Sequence, residues 1–393
     1  MTHIASVLVL DGEQRSALAA VRSLGRAGAR VQVASARPQP LAGASRHVSR
    51  VWSTPDPMAD AQGWVDAVLH HAAQGGVQFI LPMTDVSTAL LAPLRARLPP
   101  GCSLLCPSAA AYEALTDKQR LLDLATRVDV AVPRTLVAQD AEQLQHAAAQ
   151  LGYPLVIKPA RSRYVHGNAV HSTSVMLVPD AQRLQAVLPT LAWLGHVNAL
   201  VQQWVPGTGA GVFALYGPEG PVAWFAHRRL REKPPSGGVS VLCESALPDP
   251  AVLQPSARLL ESVGWWGPAM VEYRVTPSGE AVLMEVNGRF WGSLQLAIDA
   301  GVDFPALLLD LGLDRPPRAP QPYANGRRLR WLLGDVDNLL LQWRAAATFS
   351  ARRTALGDFL ATFVDARCRQ EVLRLADPRP GLREWGQWLA ALR

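Results

Sequence analysis

Glu272, Glu285 and Asn287 fall within one stretch, residues 269–291, reading AMVEYRVTPSGEAVLMEVNGRFW. Two carboxylates and a carboxamide oxygen brought together on half-buried strands repel one another unless something positive lies between them. A hard divalent cation, Mg2+ or Mn2+, suits that position, because such ions take oxygen ligands and share them with the phosphates of a substrate. A plainer reading stands beside this one: Glu272 and Glu285 are solvent-facing strand residues paired with nearby arginines such as Arg274 and Arg289. The stretch alone does not separate the two.

The elements that must position these groups are two short β-prone runs. Val271, Tyr273 and Val275 alternate on one side of Thr276-Pro277-Ser278-Gly279-Glu280, and Val282, Met284 and Val286 alternate on the other. Pro and Gly sit where a tight turn needs them, so the stretch is a hairpin. Reflection about the Ser278–Gly279 bond sets Glu272 opposite Glu285, and Asn287, two residues on, shares the face of Glu285. A bulge in the turn would shift this register by one residue.

The cations are distributed unevenly. Of 38 basic residues only three are lysines, Lys118, Lys158 and Lys233. Against an arginine-rich background, a lysine marks a place where a compact ammonium on a flexible stem fits and a planar guanidinium does not. Lys118 lies in a helix opened by Thr116-Asp117 and running through Arg127. Lys158 closes the apolar strand Leu155-Val156-Ile157-Lys158-Pro159, and a polar loop with Arg161, Ser162, Arg163, His166 and Gly167 follows it. Residues 199–205, ALVQQWV, form a further apolar strand ended by Pro206-Gly207. The run from His227 to Gly238 carries Arg228, Arg229, Arg231 and Lys233 ahead of the acidic hairpin; it is either a surface basic stretch or a cluster facing anionic oxygens.

The chain has 393 residues, nearly half of them apolar, enough for two or three globular domains. It opens in a βαβ pattern: a strand at 6–10, a helix at 15–27, a strand at 31–34. The turn Asp11-Gly12-Glu13-Gln14 lacks the glycine-rich dinucleotide fingerprint, so a nicotinamide cofactor is not expected. Thr84 and Asp85, after a strand at 77–81, read as a helix N-cap. The net charge of +6 comes from scattered residues without interleaved aromatics, which argues against nucleic acid. No apolar run is long enough for stable membrane insertion, and the start has no signal-peptide pattern. Cys102, Cys106, Cys243 and Cys368 have neither zinc-site spacing nor disulfide-scaffold density, so a cytoplasmic location is expected. Beyond a proline-rich connector at 315–322, Trp331, Trp343, Trp385 and Trp388 mark helices with apolar faces, expected to pack against the chain itself.

Taken together, the two lysines, the Gln-Gln-Trp-Val hinge and the hairpin ending Glu-Val-Asn-Gly-Arg resemble the ATP-grasp superfamily over residues 116–313. The stretches HRRLREKPPSGG and NGRFWGSLQLAIDAGVDFP are similar to bacterial PylC-like carboxylate-amine ligases. The fold this implies is α/β: a Rossmann-like pre-ATP-grasp domain at 1–115, an ATP-grasp domain of two α+β subdomains clasping ATP at 116–315, and a connector with a helical C-terminal extension at 316–393.

The resemblance assigns roles by position. Lys118 and Lys158 match the lysines that contact nucleotide phosphates, and the loop after Lys158 matches the phosphate-covering loop, although it has no run of glycines. Gln202, Gln203 and Val205 match the hinge that reads adenine, with an amide at Gln202 where an acid is more usual. Glu272, Glu285 and Asn287 match the ligands of Mg2+ or Mn2+, and Arg289 an arginine beside the transferred phosphate. Arg228, Arg229 and Lys233 are expected to hold that phosphate or the substrate carboxylate. The implied reaction is ADP-forming: ATP phosphorylates a small carboxylate, and an amine displaces phosphate from the acyl phosphate. A carboxylase-like or carboxylate-thiol relative and a non-catalytic nucleotide-binding regulator stay open as alternatives. A homodimer is expected by analogy alone.

Overall fold

In the computed structural model the described residues are 4–391, apart from 161–162, 167–168, 173–174, 236 and 317–321; for 163–166 and 169–172 only the backbone is described. Val7, Leu8 and Val9 of β1 (Ser6–Val9) are wholly buried because β1 lies at the centre of a parallel sheet covered on both faces. Its neighbours are β2 (Arg30–Ser35), β3 (Val48–Ser53), β4 (Phe79–Leu81) and β5 (Ser103–Leu104), in the order β3-β2-β1-β4-β5. The order reverses between β1 and β4, so the loops after those two strands open side by side at the carboxyl edge, the usual ligand position in such sheets. The expected Rossmann-like opening is therefore present.

A second, four-stranded antiparallel sheet follows: β6 (Thr135–Ala138), β7 (Leu155–Pro159), then, past a separate two-stranded hairpin of β8 (Arg163–His166) and β9 (Ala169–Ser172), β10 (Met176–Val178) and β11 (Ala199–Gln203). Leu155, Ile157, Ala199 and Val201 point into a core shared with helices Ala141–Leu151 and Ala181–Val187. Strand alternation turns Val156, Lys158, Leu200 and Gln202 to the other face.

The third sheet has seven strands in the order β16-β15-β12-β13-β14-β17-β18: β12 (Thr208–Gly217), β13 (Gly220–Lys233), β14 (Val239–Ala246), β15 (Gly267–Val275), β16 (Ala281–Asn287), β17 (Arg328–Arg330) and β18 (Cys368–Gln370). One face carries Val212, Val271, Tyr273, Leu283 and Val286 into a core with helices Ala109–Thr116, Lys118–Arg127 and Pro250–Glu261. The other carries Phe213, Phe225 and Met270 toward Trp291, helices Leu294–Ala300 and Phe304–Gly312, and helix Arg15–Arg26 of the first layer. Gly301 ends helix Leu294–Ala300 with φ 115°, the C-cap its position in the sequence indicates.

The C-terminal region contains the expected helices, Leu332–Ala345, Phe349–Val364 and Arg379–Ala391, and also supplies two short strands, β17 and β18, that extend the large sheet. It is strapped to the first layer through buried Arg22, which donates to Asp377 Oδ2 (2.9 Å) and to the carbonyls of Glu371 and Val372. Trp331 and Trp388 turn inward to Glu384 and Asp337, whereas Trp343 and Trp385 remain 37% and 36% exposed. No helix among the described residues is long and apolar enough to cross a membrane.

Candidate active site

The acidic hairpin forms around the expected turn, but the alternation expected of Val282, Met284 and Val286 is broken at Met284, and Leu283 and Val286 face the core. Glu272 pairs with Glu285 across β15 and β16, and Met270 pairs with Asn287, so both carboxylates and the carboxamide share one face. Beside the turn the register is Val275↔Ala281, Arg274↔Val282 and Tyr273↔Leu283, which alone would set Glu272 against Met284. A bulge at Met284 takes up the extra residue and brings Glu285 opposite Glu272. The bulge lies beside the acids and not in the turn. Asn287 Nδ2 then donates to Glu272 Oε2 at 3.4 Å.

Electrostatics follow from this facing pair. Burial first, and then the neighbouring Glu285 charge, push Glu272 up to about 7 against the pull of Arg229. Burial opposes ionisation of Glu285 as well, but the hydrogen bond from Glu272 and the charges of Lys118 and Lys158 prevail and hold it below the usual range. Two carboxylates this close do not both ionise without added positive charge. The donor set, two carboxylates and an amide oxygen, is what a hard divalent cation takes. Among the described residues no group of three or more His, Cys, Asp or Glu side chains is arranged for a metal.

The lysines converge on the same acids from the second sheet and the helix before it. The backbone N–H of Lys118, first residue of helix Lys118–Arg127, donates to the Ala160 carbonyl at 2.9 Å, which ties that helix to the end of β7 just past Lys158. Lys118 is buried, and Lys158 is half-buried on the face opposite its sheet's core. Burial lowers the Lys158 pKa, while Glu285 works to raise it and Lys118 to lower it further. The hinge follows on the neighbouring strand. Buried Gln202 donates from Nε2 to Thr135 Oγ1 at 3.0 Å, the Gln203 N–H donates to the Arg134 carbonyl at 2.9 Å, and β11 ends at Gln203, short of Val205. Arg274 of β15 fastens this segment by donating to the Gly207 carbonyl and lying 4.8 Å over the Trp204 ring. In the loop after Lys158, Arg161, Ser162 and Gly167 lie outside the described residues, as do the side chains of Arg163 and His166.

The basic run lies mostly on β13, and its members part company there. Arg229 pairs with Glu272 and, at 3.1 Å, with Glu232. It reaches Glu272 across β12, where Gly211 stands opposite Glu272 and presents no side chain. Arg228 points instead to Glu244, and Lys233 to Asp337 on helix Leu332–Ala345. The structure thus gathers Glu272, Glu285, Asn287, Lys118, Lys158 and Arg229 and holds Arg228 and Lys233 on other acids. Arg289 joins the first group: NH2 donates to Asn287 Oδ1 (3.0 Å), NH1 to the Phe290 carbonyl (3.0 Å), and Nε to Asp85 Oδ2 (3.1 Å). Asp85 is the first residue of the helix that follows β4. Its bridge spans 204 residues of chain, and no local pattern signals it.

Comparison with known proteins agrees with this architecture. Residues 197–334 match the family described as ATP-grasp in the biosynthetic pathway with Ter operon. A 54-residue segment is 39% identical to the carbamoyl phosphate synthase large chain of Methanospirillum hungatei JF-1, covering 14% of this chain and 5% of that one. Among solved structures, biotin carboxylase from Campylobacter jejuni superposes with a TM-score of 0.66 at 14% identity, over 83% of this chain and 74% of that one. L-amino acid ligase from Bacillus licheniformis gives 0.61 at 16% identity, over 84% and 79%. The biotin carboxylase domain of Hydrogenobacter thermophilus 2-oxoglutarate carboxylase, solved with MgADP, gives 0.62 at 13% identity, over 84% and 74%. At such identities the likeness establishes the fold, and that fold is ATP-grasp.

Proposed function

We propose that this ATP-grasp protein is an ATP-dependent ligase that activates a small carboxylate as its acyl phosphate, releasing ADP, and joins the acyl group to an amine. The observation that carries the reading is Glu272 facing Glu285 with Asn287 on the same face and both lysines directed at the pair. Glu272, Glu285 and Asn287 would hold Mg2+ or Mn2+. When bound, such an ion neutralises charge on the nucleotide phosphates and on the group in transfer.

The chain's own residues supply the positioning. Lys118 and Lys158 hold the phosphates of ATP. The buried Gln202 amide and the hinge backbone read adenine; since the Gln203 N–H is committed to Arg134, that residue contributes its carbonyl, and Val205 the donor. Arg289 sits beside the γ-phosphate. Arg229, already aimed across Gly211 at Glu272, orients the phosphate or the substrate carboxylate, whereas Arg228 and Lys233, held on Glu244 and Asp337, stand outside this group. A carboxylate oxygen attacks the γ-phosphorus and ADP leaves; the amine then attacks the acyl carbon, phosphate leaves, and the amine proton passes to solvent. Excluding water protects the acyl phosphate from hydrolysis.

The likeness to biotin carboxylases favours a second reading, in which the activated acid or the acceptor differs, as in a carboxylase-like or carboxylate-thiol enzyme. An intact acidic pair argues against a purely regulatory nucleotide-binding role. The deciding experiment is ATP consumption with Mg2+ against mixtures of amino acids and small carboxylic acids, resolving ADP from AMP. ADP and phosphate formed only when acid and amine are both present support the ligase; AMP and pyrophosphate overturn the acyl-phosphate route.

A further inference from the structure

Asp85 is the first residue of helix Asp85–Leu91, at the carboxyl edge of the first sheet. The cap of that helix is made by its neighbours: Thr84 Oγ1 accepts from the Ser87 N–H (3.3 Å), and Ser87 Oγ accepts from the Thr84 N–H (3.1 Å). The Asp85 carboxylate instead reaches Arg289 Nε. With Asn287 Oδ1 and the Phe290 carbonyl on NH2 and NH1, each nitrogen of that guanidinium has a partner, and the Asp85 carboxylate is the one that comes from the first sheet. Two contacts hold the layers in register at this point. Tyr112 OH donates to the Asp85 carbonyl at 3.1 Å. Gly288 packs so closely on Tyr112 and Trp265 that a Cβ there would lie 2.7 Å and 2.9 Å from their rings.

We infer that Asp85 is a positioning residue, by which the first sheet sets the direction of Arg289 and, through the Arg289–Asn287 hydrogen bond, the end of the acidic hairpin. The side chain of Asp85 is 40% exposed and that of Arg289 23%. An ion pair so open to water contributes little to stability. Its geometric effect is larger: Asp85 Oδ2 on Nε adds a fixed direction, from the first layer, to those that Asn287 and Phe290 give the two terminal nitrogens. The inference rests on the nucleotide reading above, because it places Arg289 beside the γ-phosphate.

The test compares the wild-type chain with Asp85→Asn, Asp85→Ala and Asp85→Glu, using isothermal titration of Mg-AMP-PNP and of Mg-ADP with melting temperature alongside. A positioning role weakens AMP-PNP binding by about 10-fold in the Asn and Ala variants, the loss expected for one charge-assisted hydrogen bond. ADP, which has no γ-phosphate, binds as in the wild type, and Glu restores most of the AMP-PNP affinity. Unchanged affinity for both nucleotides, or equal losses for both, would overturn the inference and leave the bridge a structural contact. A wild-type chain that bound neither nucleotide would refute the nucleotide reading itself and this inference with it.

Discussion

Glu272 and Glu285 face each other because β16 carries one residue more than β15 between the turn and the acids. Without the bulge at Met284, Glu285 would point to the other face of the sheet, into the core lined by Tyr273 and Leu283. The irregularity is what sets the two carboxylates on one face of an otherwise ordinary hairpin.

Arg229 and Arg228 are adjacent in sequence and separate in role. Arg229 pairs with Glu272, while Arg228 lies on Glu244 with its side chain 70% exposed. Arg229→Ala is expected to lower ADP-forming turnover by about 100-fold, the scale of losing one charge-stabilising donor, and Arg228→Ala by less than about 3-fold. Steady-state kinetics on the purified variants check this. Equal effects would place the substrate elsewhere along β13.

Glu384 predicts a pH effect on stability. Burial, with help from the neighbouring Glu371 charge and against the Trp331 N–H bond at 2.7 Å, raises its pKa from the ordinary 4.5 to about 7. A carboxyl whose folded pKa is raised binds more protons folded than unfolded, so its stabilisation is present at low pH and is lost as pH climbs from about 4.5 to about 7. Glu384→Gln keeps an acceptor for Trp331 and removes the titration. The variant should match the wild type at acid pH and exceed it by roughly 1 kcal/mol at pH 8 in urea denaturation, a figure reduced for partial exposure. A variant less stable at pH 8 would contradict the sign.

Much of this was legible before any coordinates. Turn residues locate the hairpin, reflection about Ser278–Gly279 names Glu272 and Glu285 as partners without showing the bulge that makes them so, and an apolar strand closed by a lysine marks Lys158. What was not legible depends on distance or on local irregularity. Thr84-Asp85 reads as a helix cap, and Thr84 does cap its helix, but nothing near Asp85 announces a partner more than two hundred residues away. The His227–Gly238 run looks like a single basic cluster; strand alternation turns Arg228 and Arg229 to opposite faces, and bulges at Leu230 and Val241 break the pattern beyond them. The helical tail conceals β17 and β18, each only three residues long, too short to show a period.

The most direct test of the central claim needs no substrate. The affinity for AMP-PNP is measured with Mg2+ and with EDTA in the wild type and in Glu285→Gln, with circular dichroism to confirm folding. The account predicts that Mg2+ tightens wild-type binding on the order of 100-fold and leaves a folded Glu285→Gln variant almost unaffected. A variant that keeps the full magnesium dependence would contradict it, because the cation would then lie away from the hairpin.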